Sequence, residues 1–363
     1  MISLFSWLVT LSVISGVLST IVIFGDLPTF RNTPLQRARS AILSVGKLYR
    51  FLNERYFKER LSSYMGYFVP LGYLAVVTFC IQQFLKKTLT ILFTINNSKL
   101  MTYYIAFTIA LVYVATILAV FSDPGRVTSN SDTSHFKNNQ LIFFDHKVCS
   151  TCHITKPARS KHCSTCGHCY MLFDHHCVWV NNCIGYYNYR WFLLFLVANI
   201  NFLAYGDYLC WKVISSQKVR WGKSFWMLIR TTNDVNRITG IFVLLCSIFF
   251  CITVLFTGLH LRYIYLGVTT NELDKWSDVE YLVTLGSLYH IENGFIDNES
   301  YVEKVILQSR EEVFISLKNN EILINRDNLP RFDLRKVESV ERDLINIYDR
   351  GFWNNLMERL FPQ

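Results

Sequence analysis

The sequence predicts a polytopic α-helical membrane protein of about five transmembrane helices, with a zinc-binding cysteine-rich domain between spans three and four. Three observations predict it. Half of the 363 residues are apolar and only 17% are charged, against roughly a quarter in soluble domains. Five apolar runs approach the ~20 residues that cross ~30 Å of hydrocarbon. Seven of the eleven cysteines crowd between Cys149 and Cys183, at spacings that suit metal better than disulfides.

The runs lie near residues 3–24, 67–85, 100–121, 190–212 and 239–262. The first has no basic stretch before it and no small-residue cleavage site after it, so it reads as a retained anchor and not a signal peptide. The second is the shortest, and Gln82 and Gln83 weaken it. Between the first two runs stand Arg31, Arg37, Arg39, Lys47, Arg50, Arg55, Lys58 and Arg60, and positive residues stay on the cytoplasmic side. Counting spans from that loop puts the cysteine-rich segment and the tail in the cytosol. The basic residues of 213–238 are the poorest fit to this orientation. The sequon Asn96-Asn97-Ser98 then falls on the lumenal side, too near the membrane to be used. The net charge of +9 sits beside apolar runs, which points to anionic lipid and topology and away from nucleic acid. The domains are thus 1–121, an N-terminal membrane region with three spans and a basic cytosolic loop; 122–189, the cysteine-rich domain; 190–262, two further spans; and 263–363, a cytosolic tail. Cys80, Cys210, Cys246 and Cys251 lie in apolar stretches and read as small core residues.

The loop carries Cys149-x2-Cys152, His162-Cys163-x2-Cys166-x2-Cys169 and Asp174-His175-His176-Cys177-x5-Cys183. Its seven cysteines and five histidines make twelve candidate ligands. Closed zinc sites take four each, so two zincs use eight and leave four. A thiol left free of metal beside an imidazole is a candidate nucleophile, because cysteine attacks as the thiolate. A carboxylate can then fix the imidazole tautomer. Asp174, His175 and Cys177 offer those three groups within four residues. The alternative at this point is that Cys177 is itself a ligand.

Asp174-His175-His176-Cys177 and its flanking cysteines resemble the DHHC protein S-acyltransferases, or palmitoyltransferases. Asp123-Pro124-Gly125, Thr269-Thr270-Asn271-Glu272 and Asn346-Ile347-Tyr348-Asp349-Arg350-Gly351 resemble further motifs of that family, so the likeness reaches from residue 123 to 351. The family usually has four spans; the additional N-terminal span here is shared by some fungal members. The resemblance implies two structural zinc ions, one on Cys149, Cys152, His162 and Cys169 and one on Cys163, Cys166, His176 and Cys183. It leaves Cys177 as nucleophile, His175 as base and Asp174 as the group that orients His175. It assigns Thr270 to support Asp174 and Asn346 to pack the tail against the spans; His153 and His168 receive no role. Details around Asn271–Trp276 look most like a fungal branch, resident in the endoplasmic reticulum membrane, that acylates SNAREs and other single-span proteins.

The expected reaction moves a long-chain acyl group from palmitoyl-CoA, through a thioester on Cys177, to juxtamembrane cysteines of membrane proteins. The acyl chain belongs among the spans, since each buried methylene contributes ~0.8 kcal/mol. The polyanionic CoA head belongs at the cytoplasmic surface, where Lys147, Lys156, Arg159 and Lys161 are candidate partners, or alternatively contacts of the lipid surface. Two other readings compete. A membrane-anchored ubiquitin ligase has interleaved zinc sites but no use for a free Cys-His-Asp set. A catalytically silent zinc-domain scaffold would keep the fold without the reaction. Residues 277–345 read as a small mixed or β-rich appendage, and Phe352, Trp353, Leu356, Leu360 and Phe361 as an amphipathic helix, lying on the membrane or packed.

Overall fold

The computed structural model describes residues 33–56, 61–95, 98–132, 134–216, 223–230, 233–293, 296, 298–308 and 310–362. The span expected over 3–24 and the sequon asparagines Asn96 and Asn97 lie outside them. The chain divides into two compact units, Met1–Met65 and Gly66–Gln363. The described part of the first is mainly a helix over the basic loop, α1 (Pro34–Tyr56).

Among the described residues four helices are long and apolar enough to cross a membrane: α2 (Tyr64–Ile95), α3 (Lys99–Phe121), α4 (Tyr189–Ser216) and, after the short α5 (Lys223–Arg230), α6 (Asp234–Tyr265). Each matches an expected run but extends past it. Most of the extension in α2 follows Gln83, where the helix opens into a π-turn at Phe84–Thr88 and continues to Ile95. The glutamines therefore sit just before a local widening of the helix, not at its end. In α6 the start moves back to Asp234 because Asn233 caps it, accepting from the Val235 and Asn236 amides at 3.0 and 3.4 Å.

Apolar side chains of α3, α4 and α6 form one cluster that includes Val112, Ala119, Phe192, Leu196 and Ile264. Polar pairs also join the helices, as packing in lipid favours. Tyr73 donates to Asn199 Oδ1 at 2.7 Å, and the buried Thr88 and Thr239 hydroxyls lie 2.9 Å apart.

Between α3 and α4 the cysteine-rich segment folds as two short antiparallel hairpins, β1 (Lys161–Cys163) with β2 (His168–Tyr170) and β3 (His175–Cys177) with β4 (Asn182–Ile184). The hairpins dock on the end of α3, whose last carbonyls have no helical partner. Asn182 Nδ2 donates to Ala119 O and Ser122 O at 3.1 and 2.8 Å. Gly185 lets the chain turn into α4; a Cβ there would meet Pro124 O at 2.4 Å.

After α6, helix α7 (Thr270–Thr284) leads into an antiparallel five-stranded sheet of order β8-β7-β6-β5-β9, built from Leu288–Ile291, Tyr301–Ile306, Glu312–Ser316, Ile322–Ile324 and Leu334–Lys336 for β5 to β9. Alternating apolar residues such as Val313 and Ile315 produce it, because a strand points successive side chains to opposite faces. The chain then returns to the membrane helices. Asn355 Nδ2, Asn346 Nδ2 and Arg359 Nη2 donate to the carbonyls of Ile264, Leu266 and Val268 at 2.9, 3.0 and 3.2 Å, closing the end of α6. In the final helix, α8 (Phe352–Leu360), Phe352, Leu356 and Leu360 pack on the span cluster, while Trp353 and the following Phe361 face outward.

Candidate active site

Two four-residue clusters form in the cysteine-rich segment, and the ligand atoms of each lie within 4.8 Å of one another. Each joins a Cys-x2-Cys turn to a cross-strand pair. Cys149 and Cys152 meet His162 and Cys169, which face each other across the β1–β2 hairpin. Cys163 and Cys166, at the tip of that hairpin, meet His176 and Cys183, which face each other across β3–β4. The clusters are therefore interleaved, since adjacent residues His162 and Cys163 serve different ones.

The donor sets fit zinc. Bonds of ~2.3 Å to sulfur and ~2.0 Å to nitrogen put tetrahedral ligand–ligand edges at roughly 3.5–3.8 Å. His162 Nδ1 lies 3.2 and 3.9 Å from the Cys152 and Cys169 sulfurs. His176 Nδ1 lies 3.4 and 3.6 Å from those of Cys166 and Cys183, which are 3.5 Å apart. Thiol and imidazole donors are those zinc prefers.

Strand β3 separates metal from chemistry. His175 and Cys177 occupy i and i+2 of the strand, on one face, and His176 occupies the other. His176 joins the cluster with Cys163, Cys166 and Cys183. Cys177 belongs to neither cluster; it is 4% exposed and packs among Val112, Ala119, Ile184 and Phe192, where the spans meet the hairpins.

His175 Nδ1 lies 2.6 Å from Asp174 Oδ2, and Cys177 stands two residues along β3 on the same face as that imidazole. With Nδ1–H donated to the carboxylate, Nε2 is left for the sulfur. Asp174 is held in turn by Thr270, whose amide and hydroxyl donate to Oδ1 and Oδ2 at 2.9 and 3.0 Å. Burial acts to raise the Asp174 carboxyl, but His175, His260 and the Thr270 amide outweigh it and hold it down at about 2. Burial acts to lower His175, but Asp174 and Cys177 outweigh it and hold the imidazole up at about 9. A buried carboxylate, an oriented imidazole and a thiol in apolar surroundings can generate a thiolate and shuttle its proton.

Residues 142–277 match the family model described as DHHC palmitoyltransferase. The chain is 54% identical to Palmitoyltransferase SWF1 of Candida albicans, over 98% of this chain and 99% of that one. It is 50% identical to Palmitoyltransferase SWF1 of Debaryomyces hansenii over 98% of both chains, and 30% identical to that of Schizosaccharomyces pombe over 96% and 94%. The chain belongs to the DHHC palmitoyltransferase family.

In this palmitoyltransferase the Thr-Thr-x-Glu segment holds three elements together. Thr269 caps α7 in a capping box with Glu272, Thr270 holds Asp174, and Glu272 pairs with Arg159. Arg159 thereby departs from its expected place among the CoA contacts. It is 1% exposed, donates to both Glu272 oxygens at 2.6 and 2.7 Å and to Gly267 O at 3.0 Å, and stacks 4.5 Å from the Tyr348 ring. A guanidinium buried in that cage has no surface left for a phosphate. Lys147 and Lys156 line a pocket of about 280 Å³ whose third lysine, Lys275, the sequence did not single out. Burial first, then the charge of Lys156, pushes Lys275 down to about 8. Lys161 is exposed beside Phe173 and does not line that pocket.

Sequence reasoning also passed over His260, in α6. Its Nδ1 is 3.1 Å from the Tyr189 hydroxyl and 3.9 Å from Asp174 Oδ2. The available signal was a histidine inside an apolar span, since ionisable groups at membrane depth are expensive and usually functional.

Proposed function

We propose that the enzyme transfers a long-chain acyl group from acyl-CoA to protein cysteines through a thioester on Cys177. The observation that carries this reading is the division of β3, which gives His176 to a metal cluster and aims His175, held at Nδ1 by Asp174, toward Cys177. His175 Nε2 takes the Cys177 proton. The thiolate attacks the acyl-CoA carbonyl, the C–S bond to CoA breaks, and the departing CoA thiolate recovers the proton from His175. A substrate thiol then passes its proton to His175, attacks the acyl-enzyme and releases Cys177. Asp174 orients His175, Thr270 orients Asp174, and Asn346 fixes the tail that supports them. Two zinc ions, on Cys149, Cys152, His162 and Cys169 and on Cys163, Cys166, His176 and Cys183, hold the loop folded.

The apolar surroundings of Cys177 suit an acyl chain entering from the spans, and Lys147 and Lys156, now with Lys275, suit the polyanionic head of CoA. Lys161 adds cationic charge at the exposed surface. The basic loop after the first apolar run supports five spans with the zinc domain cytosolic between spans three and four. The resemblance of Asn271–Trp276 and Asn346–Asp349 to the fungal SNARE-acylating branch supports residence in the endoplasmic reticulum and juxtamembrane cysteines of SNAREs as substrates.

The test is acyl-enzyme formation by purified protein with labelled palmitoyl-CoA. A hydroxylamine-labile label on wild type, absent from Cys177→Ser and His175→Ala while zinc content holds, is expected. Label retained by Cys177→Ser would exclude this nucleophile.

A further inference from the structure

His260 stands where three elements meet and takes no part in the reaction just described. It comes from α6, is 2% exposed, and shares a hydrogen bond between Nδ1 and the hydroxyl of Tyr189 on α4. The same Nδ1 approaches Asp174 Oδ2, just before β3, at 3.9 Å. Its ring lies 5.6 Å from the His175 ring at an interplanar angle of 37°. Phe192 sets its edge against both imidazoles, 5.3 Å from His175 and 4.9 Å from His260. Phe256 also lies edge-on to His260, 4.7 Å away, and Arg359 stacks on Tyr189 at 4.9 Å.

Asp174, His175 and His260 are close enough together to suggest a third metal. The hydrogen bonds argue otherwise. Asp174 already accepts from Thr270 twice and shares its shorter contact with His175, while His260 Nδ1 is engaged with Tyr189. With no fourth donor among the described residues, the group reads as a polar network. Within it, Asp174 can hold only one edge of the His175 ring. The tilt of that ring about the hydrogen bond is limited by what lies against its face, and His260 and Phe192 are what lie there.

We propose that His260 is a positioning residue for acyl transfer: tied to Tyr189, it walls the His175 ring and the Asp174 carboxylate so that Nε2 stays aimed at Cys177. The inference rests on Cys177 and His175 as the reacting pair. Its contribution is geometric, and small losses of alignment at a reacting centre reduce rate far more than they reduce binding.

The test uses the full-length enzyme in lipid nanodiscs, with palmitoyl-CoA varied and acyl-enzyme formation followed in a single turnover. His260→Phe fills the volume and removes Nδ1; His260→Asn keeps a polar atom near the Nδ1 position. The Phe variant should lose roughly tenfold or more in the saturating rate, with half-saturation within about twofold of wild type. Zinc content and melting temperature should hold. The Asn variant should recover most of the rate, and Tyr189→Phe should lose a smaller part. A wild-type rate in His260→Phe overturns the inference. So does a loss confined to half-saturation, or a loss in all three variants that tracks zinc or melting temperature. Cys177→Ser in parallel separates the failures: if it keeps the label, the underlying reaction assignment fails instead.

Discussion

Arg159 and Glu272, 113 residues apart, form a two-pronged ion pair with both side chains 1% exposed. The pair joins the cysteine-rich segment to the helix that follows the last span. Removing Glu272 strips the buried guanidinium of its bidentate partner and leaves it only Glu358 at 3.3 Å and the Gly267 carbonyl at 3.0 Å, and breaking a buried pair costs more than the pair contributes. Glu272→Ala should therefore destabilise the protein by about 3–5 kcal/mol, read as a lower melting temperature in detergent. Arg159→Met with Glu272→Leu should recover most of it. A Glu272→Ala protein that melts with wild type would show the pair to be dispensable.

Thr270 grips Asp174 with two donors, and only one belongs to the side chain. Thr270→Val keeps the amide contact and loses the hydroxyl. A hydrogen bond to a charged acceptor contributes about 1.5–3 kcal/mol, so acyl-enzyme formation should slow by roughly tenfold to a hundredfold if Asp174 loses its alignment. Thr270→Ser should stay near wild type. Equal rates for Val and Ser would place the whole support in the backbone.

Interleaving predicts that the metal clusters fail together. His162→Ala removes one ligand, but its neighbour Cys163 serves the other cluster on the same short hairpin. Zinc measured per chain by atomic spectroscopy should fall from two to well below one, with protease cleavage appearing between Cys149 and Cys183. A drop to one zinc with the segment still protected would show two independent sites.

The pH response follows from His175. Its value is raised from 6.5 to about 9, and the protonated ring cannot accept the Cys177 proton. At saturating acyl-CoA the single-turnover rate should rise with pH through a midpoint near 9 and level off about a unit above it. Asp174→Asn removes the charge that favours the imidazolium, so the midpoint should move down toward 6.5 while the plateau falls. The stability effect has the opposite sign. The Asp174–His175 interaction is fully present below the unfolded histidine value and is lost as pH climbs through about 9. A midpoint unmoved by Asp174→Asn would assign the pH response to another group.

Much of the site was legible because its residues are close in sequence and chemically unusual. Thiols and imidazoles at two- and three-residue spacing have few uses besides metal and nucleophilic chemistry, so Cys149 to Cys183 declared themselves. Lysines do not, and neither does an arginine. Lys275 reaches its pocket from a helix more than a hundred residues past Lys147 and Lys156, and Arg159 looked like a surface cation until its partner Glu272 was found across the fold.

The sequence by itself determined the membrane class, the ligand inventory and the reactive motif. Hydrocarbon demands apolar runs of a set length, and zinc demands particular atoms at short range, and both demands are local. Spacing left open whether Cys177 is a ligand, the family resemblance implied that it is not, and the tertiary structure adds the geometry that goes with that division. A strand, not a helix, places His176 on the metal face and His175 beside Cys177. The same folding brings Thr270 and His260 to Asp174, ties His260 to Tyr189, and sends Arg159 inward to Glu272. Those contacts join residues some seventy to more than a hundred positions apart. No local pattern specifies them, because they exist only once the spans have packed.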